Sequence, residues 1–153
     1  MMKNDQYILV TGGAGYIGGH MAGLLLEAGY RVIILDNLST GVRPWIAKGA
    51  AFIKGDLCLP KDARKPFERY PVSAVIHFAA KIVVPESVSQ PVMYYANNVG
   101  GTLNLLTAMA AHGVRRIVFS STAAVYGDPS RVPVDEQADA LPMNAYGASK
   151  YMV

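Results

Sequence analysis

Residues 10–18 read VTGGAGYIG, and this stretch decides the fold. A short apolar run precedes it, and from Ile17 onward the apolar residues follow helical spacing. The stretch contains two overlapping glycine ladders: Gly13, Gly15 and Gly18 as G-x-G-x-x-G, and Gly12, Gly15 and Gly18 at intervals of three. Bare backbone between a strand and a helix can approach a diphosphate closely, so the stretch predicts a dinucleotide-binding turn. Alone the glycines are a weak signal, because plain turns also use them.

An acidic residue at the end of the next apolar run strengthens this interpretation. Asp36 follows Gly18 at close to the spacing of about 20 residues that dinucleotide-binding units show. Its carboxylate would accept hydrogen bonds from the hydroxyls of an adenosine ribose and would repel a 2′-phosphate. The sequence therefore predicts NAD rather than NADP as the cofactor. The structural alternative is a simple strand-end turn with Asn37.

The same strand-then-helix pattern recurs along the chain. Continuous apolar runs, typical of strands covered on both faces, occur at residues 7–10, 31–35, 51–53, 74–78 and 117–119. Helices are predicted between them at residues 17–28, 60–70 and 93–112, with a last helix beginning near Asn144. The alternation predicts an α/β protein, a doubly wound parallel-sheet Rossmann domain over residues 1–153. The longest irregular stretch, residues 127–142, is interpreted as a functional loop.

Apolar residues at helical spacing form a stripe on two of these helices. On the first helix the stripe is Ile17, Met21, Leu24, Leu25 and Ala28. On the long helix it is Val99, Leu103, Leu106 and Ala110. Gly29 and Gly113 stand where the two helices are expected to end.

Composition excludes several classes of protein. The 153 residues are 52% hydrophobic with a net charge of +3, and the basic residues are scattered, which argues against nucleic-acid binding. The single cysteine, Cys58, cannot form an intrachain disulfide or a cysteine-rich zinc site, and no metal site is predicted. No signal-peptide pattern occurs in the first residues and no apolar run is long enough for a membrane span. A cytoplasmic protein is expected.

A tyrosine and a lysine one helical turn apart suggest the chemistry. Tyr146 and Lys150 stand at i and i+4, so both side chains lie on one face of the last predicted helix. A nearby ammonium favours phenolate, and a phenolate beside a nicotinamide ring can take a hydroxyl proton while hydride leaves the same carbon. This spacing is common by chance on solvated helix faces. The glycine turn far upstream gives it weight.

Two further polar groups follow predicted strands. Residues 119–127 read FSSTAAVYG, and a hydroxyl at the carboxyl end of a strand could bind a substrate oxygen, although each could equally form a turn. Asp56 ends the third strand, where its carboxylate could accept from an adenine amino group. A helix N-cap is the alternative role for Asp56. His77 ends the fourth strand and is interpreted as a structural histidine rather than a base.

Nine segments together resemble the UDP-glucose 4-epimerase family of extended short-chain dehydrogenases/reductases in order and spacing. They are TGGAGYIG at 11–18, DNLS at 36–39, GD at 55–56, HFAA at 77–80, PESV at 85–88, YYANN at 94–98, GTLNLL at 101–106, SSTAAVYG at 120–127 and YGASK at 146–150. The resemblance covers essentially the whole chain. It implies a UDP-sugar substrate and NAD-dependent interconversion of UDP-glucose and UDP-galactose through a transient 4-keto sugar.

The resemblance also implies roles for residues. Tyr146 would be the base for the sugar 4-hydroxyl, Thr122 would bind the 4-oxygen, and Lys150 would orient the nicotinamide ribose and tune Tyr146. The remaining implied cofactor contacts are Gly12, Gly15, Tyr16, Ile17 and Gly18 at the diphosphate, Asp36, Asn37 and Ser39 at the adenosine ribose, Asp56 and Leu57 at the adenine, Phe78, Ala79 and Ala80 beside the cofactor, and Asn97. The family's homodimers use a helix bundle that would include residues 93–112 and the helix carrying Tyr146.

The chain departs from the family in three ways. Ala145 stands where the family often has proline, and Lys81 precedes the usual lysine position by one. The family is about twice as long, and its second half carries most UDP-sugar contacts, so the chain is expected to be a truncated NAD-binding half. Two alternatives remain: a catalytically inactive NAD-binding or interaction module, and a nucleotide-sugar 4,6-dehydratase. The second needs Asp-Glu after the threonine, where Ala123 and Ala124 stand.

Overall fold

The computed structural model describes residues 6–153, and the prediction that no signal peptide occupies the first residues lies outside that range. The chain divides into two compact units. The first comprises Met1–Ala79 and Leu103–Ser120, and the second comprises Ala80–Thr102 and Ser121–Val153.

The first unit is built on a five-stranded parallel sheet. Its strands are β1 (Tyr7–Thr11), β2 (Arg31–Asp36), β3 (Ala51–Lys54), β4 (Val72–His77) and β5 (Ile117–Phe119). Their order in the sheet is β3-β2-β1-β4-β5, and every neighbouring pair is parallel. All five predicted strands are confirmed. The fourth begins at Val72 rather than at residue 74 and ends at His77.

Side chains that alternate along the strands fill two cores, one on each face of the sheet. Leu9, Ile33 and Val75 pack in one cluster with residues of α2 (Pro60–Arg69) and α5 (Gly101–Ala111). Val10 and Ile34 pack in the other with α1 (Tyr16–Glu27). Because successive strand residues point to opposite faces, continuous apolar runs serve both cores at once. The doubly wound arrangement predicted from the sequence is therefore confirmed.

The apolar stripe of α1 is only partly buried, and Leu25 is the member that packs against the core. On α1, Ile17 and Leu24 are 61% and 47% exposed, and the buried residues are Gly18, Gly19 and Ala22. Small residues make this contact because they let the helix approach the neighbouring backbone closely. Gly29, with φ of +83°, follows the end of α1 as expected.

The long predicted helix is not a continuous α-helix. It consists of α4 (Pro91–Tyr94), a π-helical segment (Tyr95–Gly100) and α5. A π segment changes the helical phase, so a stripe drawn at constant α-helical spacing ends on the wrong face. Leu103 and Leu106 are accordingly 58% and 38% exposed. The buried residues of α5 include Leu105, Ala108 and Met109.

The second unit contains short helices and a long loop. Besides α4, it holds α3 (Val84–Ser89), a 3-10 turn (Ala123–Tyr126) and α6 (Ala145–Tyr151). The long loop predicted at residues 127–142 is confirmed, and its two ends meet where Gly127 lies against the carbonyl oxygen of Leu141. Within residues 6–153, no helix is long and apolar enough to cross a membrane.

Candidate functional site

The glycine turn between β1 and α1 leaves no room for a side chain at Gly12 or at Gly18. Gly12 has φ of +71°, and a Cβ there would stand 2.7 Å from the backbone nitrogen of Ala79. A Cβ on Gly18 would overlap the carbonyl oxygen of Gly12. The turn is closed by a hydrogen bond of 3.1 Å from Gly15 N–H to the same carbonyl. The result is a tight cradle of bare backbone, which fits a diphosphate.

The first turn of α1 follows directly from this cradle. Tyr16 and Ile17 are the first two helical residues, and both side chains are exposed. The first N–H groups of an α-helix have no partner within the helix, and the helix dipole places positive charge there. The positions predicted for diphosphate contact are thus at the helix end that favours an anion.

Asp36 lies beside the cradle at the end of β2. Its side chain is 8% exposed, with Oδ2 accepting from the Ala14 N–H at 3.0 Å and Oδ1 accepting from the Leu38 N–H at 2.8 Å. The second bond helps to hold Leu38 at φ of +62°. Asp36 therefore stabilises the strand-end turn, which was the structural alternative to a role in binding ribose. A carboxylate has about four acceptor positions, so ribose hydroxyls can still bind there.

The neighbouring predicted contacts are linked to each other. Asn37 donates to Asp56 Oδ2 at 3.1 Å and accepts from the Ser39 N–H at 2.9 Å. Asp56 Oδ1 accepts from the Cys58 N–H at 2.8 Å. The predicted N-cap role of Asp56 is wrong, because the residue preceding α2 is Leu59. Asp56 forms a local turn instead, and its carboxylate remains half-buried at the end of β3.

Phe78 and Ala79 follow β4, within the first unit. The Phe78 N–H donates to the Thr11 carbonyl at 3.1 Å, and the Ala79 backbone lies against Gly12. His77, the last residue of β4, is buried. His77 Nδ1 lies 2.6 Å from Thr11 Oγ1, and its ring is 5.7 Å from that of Phe119. These contacts support the structural interpretation of His77.

In the second unit, Tyr146 and Lys150 lie on α6. The helix begins at the N-cap residue Asn144, whose side chain accepts from the Gly147 N–H at 2.8 Å. Tyr146 is half-buried, whereas Lys150 is only 5% exposed. Burial disfavours the ammonium and lowers the pKa of Lys150 to about 8. A solvated helix face therefore does not describe this lysine.

Thr122 is held near the first turn of α6. It caps the 3-10 turn, and its Oγ1 accepts from the Ala124 N–H at 3.2 Å. The carbonyl oxygen of Ala124 in turn lies against Gly147 of α6. A hydroxyl that accepts from backbone keeps its own proton to donate to another oxygen. The structure thus brings the predicted hydroxyl and the predicted base onto two segments in direct contact.

Sequence reasoning missed a buried polar network behind α6. Asn98 donates to the Lys81 carbonyl at 3.1 Å and to Ser149 Oγ at 3.0 Å, and it accepts from the Lys81 N–H at 2.8 Å. Ser149 donates onward to the Tyr146 carbonyl at 2.8 Å. Asn97 also donates to Asn98 Oδ1, at 2.9 Å. The sequence feature that could have indicated this network is the pair of adjacent asparagines before an apolar helix.

Tyr94 is a second missed contact. Its side chain is completely buried, and its ring meets that of Tyr146 edge-on at 6.5 Å. The phenol accepts from the Val83 N–H at 2.9 Å and lies 2.8 Å from a carboxylate oxygen of Glu86. Burial and the bond to Glu86 raise the pKa of Tyr94. Its complete burial makes Tyr94 a core residue of this unit. The remaining predicted contact, Ala80, also lies in this unit.

A parallel sheet, a bare-backbone turn and a strand-end acid define a Rossmann-type nucleotide-binding protein. Comparison with known proteins gives the family. The model of the NAD dependent epimerase/dehydratase family matches residues 8–153, and the chain belongs to this family.

Individual relatives are similar over nearly the whole chain. A UDP-glucose 4-epimerase from Streptomyces lividans is 53% identical over 146 residues, which are 95% of this chain and 44% of that protein. One from Azospirillum brasilense is 47% identical over 145 residues, again 95% of this chain and 42% of that protein. The chain therefore spans less than half the length of these curated relatives.

Solved structures match equally well. The UDP-glucose 4-epimerase from Brucella ovis in complex with NAD has a TM-score of 0.92 at 44% identity, covering 96% of this chain and 45% of that one. The enzyme from Bifidobacterium longum in complex with NAD+ and UDP has a TM-score of 0.90 at 37% identity, covering 96% and 46%.

Proposed function

We propose that this chain binds NAD, with the diphosphate, the adenosine ribose and the adenine held by residues of the first unit. The diphosphate would sit at Gly12, Gly15 and Gly18 and at the N–H groups of Tyr16 and Ile17. The adenosine ribose would meet Asp36, Asn37 and Ser39, and the adenine would meet Asp56 and Leu57, with Phe78, Ala79, Ala80 and Asn97 as further contacts. The cradle that a Cβ would fill supports this assignment, and so does the linked set Asp36, Asn37 and Asp56.

The activity that fits best is 4-epimerisation of a nucleotide sugar, UDP-glucose to UDP-galactose and back. The observation that carries this proposal is 53% identity to an epimerase over 95% of a chain that has both the cradle and the Tyr146–Lys150 pair. NAD, when bound, would supply the acceptor that takes hydride from sugar C4 and returns it to the opposite face of the resulting 4-keto sugar.

The residues of the second unit would move the proton. Tyr146, as the base, takes the proton of the 4-hydroxyl when C4 is oxidised and gives it back when C4 is reduced, so the reaction is balanced over one cycle. Thr122 donates a hydrogen bond to the same oxygen. Lys150, buried and with a lowered pKa, orients the nicotinamide ribose and tunes Tyr146.

The same resemblance suggests the setting of the enzyme. A UDP-sugar is the proposed substrate, a second copy of the chain the proposed partner, and the cytoplasm the proposed location. The exposed Leu103 and Leu106 on α5 support pairing of this helix with another copy. The curated relatives are more than twice as long as this chain. We therefore propose NAD binding for this chain by itself, and the assay below determines whether it also converts the UDP-sugar.

The test measures two properties of the purified chain, bound NAD and conversion of UDP-galactose in a coupled assay. Tyr146→Phe is expected to abolish turnover and to preserve the circular dichroism spectrum. Tyr151→Phe is the matched control, because Tyr151 lies on the same helix and is 60% exposed. It should leave the rate unchanged.

The outcomes separate the alternatives. Normal turnover by Tyr146→Phe would contradict the assignment of the base. NAD retained without turnover would favour a binding module, the alternative that the length of the relatives supports. Absence of NAD binding would remove the basis of the whole proposal.

A further inference from the structure

An exposed aromatic contact lies beside the glycine turn in the first unit. The ring of Tyr16, the first residue of α1, meets the ring of Trp45 edge-on, with 5.9 Å between centroids and 64° between planes. Tyr16 is 77% exposed, and Trp45, the only tryptophan of the sequence, is 49% exposed. Neither ring belongs to a core cluster, so packing of the sheet does not account for their contact.

The backbone at Trp45 is docked on the same helix. The Trp45 carbonyl lies where only a glycine fits, because a Cβ on Gly19 would stand 2.7 Å from that oxygen. Just upstream, the Val42 N–H donates to the Ala14 carbonyl at 2.9 Å. A Cβ on Gly41 would stand 2.9 Å from the Ala14 side chain. These contacts hold the Trp45 backbone against α1 independently of Tyr16.

Tyr16 occupies a position from which its side chain could obstruct the cradle. In an α-helix, Cα–Cβ bonds point toward the N-terminus. The side chain of the first helical residue therefore leans toward the end where a diphosphate would meet the unpartnered N–H groups. A tyrosine ring is large enough to cover that end. In the structure the Tyr16 ring makes an edge contact with the ring of Trp45.

We infer that Trp45 is a positioning residue of the cofactor site: it holds the Tyr16 ring aside and keeps the first turn of α1 open to the diphosphate of NAD. The inference rests on the proposed binding of NAD. Trp45 acts through Tyr16 and makes no contact with the cofactor itself. An aromatic contact of this kind corresponds to about a threefold to tenfold change in affinity.

A double-mutant cycle tests this. The affinity for NAD is measured by calorimetry for the unmodified chain, Trp45→Leu, Tyr16→Ala and the double variant. Trp45→Leu should weaken binding by about threefold to tenfold when Tyr16 is present. With Tyr16→Ala as the starting point, Trp45→Leu should have no further effect, because no ring remains to be held. Thermal midpoints without NAD monitor the fold of each variant.

Each other outcome has a defined meaning. Equal losses with and without Tyr16 would show that Trp45 supports the fold or meets the ligand directly, and would overturn the inference. Unchanged affinity in Trp45→Leu would overturn it as well. Failure of the unmodified chain to bind NAD would instead overturn the proposed function, so the two failures are distinguishable.

Discussion

Gly147 lies directly against the carbonyl oxygen of Ala124, and a Cβ on this glycine would stand 2.5 Å from that oxygen. It would also stand 3.2 Å from Pro142 Cβ, a tight contact, but the Ala124 carbonyl is the neighbour that leaves no space for a methyl group. The contact presses the first turn of α6 onto the turn that Thr122 caps. The close approach of the turn that Thr122 caps to the first turn of α6 therefore depends on a residue without a side chain.

Gly147→Ala should push these two turns apart. We expect it to lower the free energy of unfolding by about 1–3 kcal/mol, because the added carbon meets rigid backbone. The rate of epimerisation should fall by roughly a hundredfold, since small displacements of reacting groups are costly. Thermal unfolding and the coupled UDP-galactose assay measure the two effects.

The matched control is Gly23→Ala in α1. A Cβ at Gly23 meets nothing within 4 Å, and the residue lies inside an α-helix. Alanine should raise stability there by roughly 0.5–1 kcal/mol, because it restricts the unfolded chain. If both variants were equally stable, the contact at Gly147 would not be as close as described.

Gly18→Ala tests the cradle. A Cβ there would overlap the Gly12 carbonyl and lie 3.0 Å from Gly13 Cα, so the turn must open. We expect NAD affinity measured by calorimetry to fall at least about tenfold, because the backbone N–H groups leave their positions. Gly23→Ala, on the same helix, should bind NAD as the unmodified chain does. Undiminished binding by Gly18→Ala would argue that the diphosphate sits elsewhere.

The sheet could be predicted from the sequence because its signal is local. Residues such as Leu9, Val10, Ile33 and Ile34 form unbroken apolar runs, and in the structure each is completely buried. Strand ends then located Asp36 and Asp56 at the same edge of the sheet, since parallel strands end together.

The helix faces could not be predicted in the same way. Hydropathy gives no weight to glycine, yet Gly18 and Gly19 make the close contacts of α1. Which face of α5 is buried depends on the π segment before it, and the spacing of apolar residues gives no sign of that segment. The bond between Asn98 and Ser149 joins residues 51 positions apart, and no local rule indicates such a partner.

Asn98 offers a test of that buried network. Its side chain satisfies both the N–H and the carbonyl of Lys81 as well as the Ser149 hydroxyl. Asn98→Asp keeps the shape but replaces the two donors by an acceptor and a buried charge. We expect it to lower the free energy of unfolding by about 3 kcal/mol or more. Urea unfolding provides the measurement.

Ser149→Ala is the milder comparison for this network. It removes one hydroxyl and leaves the two bonds between Asn98 and Lys81 in place. The expected loss is about 1 kcal/mol. An Asn98→Asp variant as stable as Ser149→Ala would mean that the amide nitrogen does not donate inside the network.

Lys150 predicts a pH dependence of stability with a definite sign. Burial lowers its pKa from 10.5 to about 8 in the folded chain, and only the folded state has this shift. Below pH 8 the Lys150 ammonium is charged in both the folded and the unfolded state. The cost of burying this charge then lowers the free energy of unfolding. Between pH 8 and 10.5 the folded state has released a proton that the unfolded state still holds. Stability therefore rises with pH across this window.

Lys150→Met removes the titrating group and retains much of the side chain's bulk. The free energy of unfolding of the unmodified chain, relative to that of the variant, should increase between pH 8 and 10.5 by on the order of 2–3 kcal/mol. The comparison with Lys150→Met removes the pH-dependent contributions that the two proteins share. Urea unfolding at intervals across the window measures it. A flat difference would mean that partners within the fold stabilise the Lys150 ammonium as well as water does, and a falling one would mean that they stabilise it better.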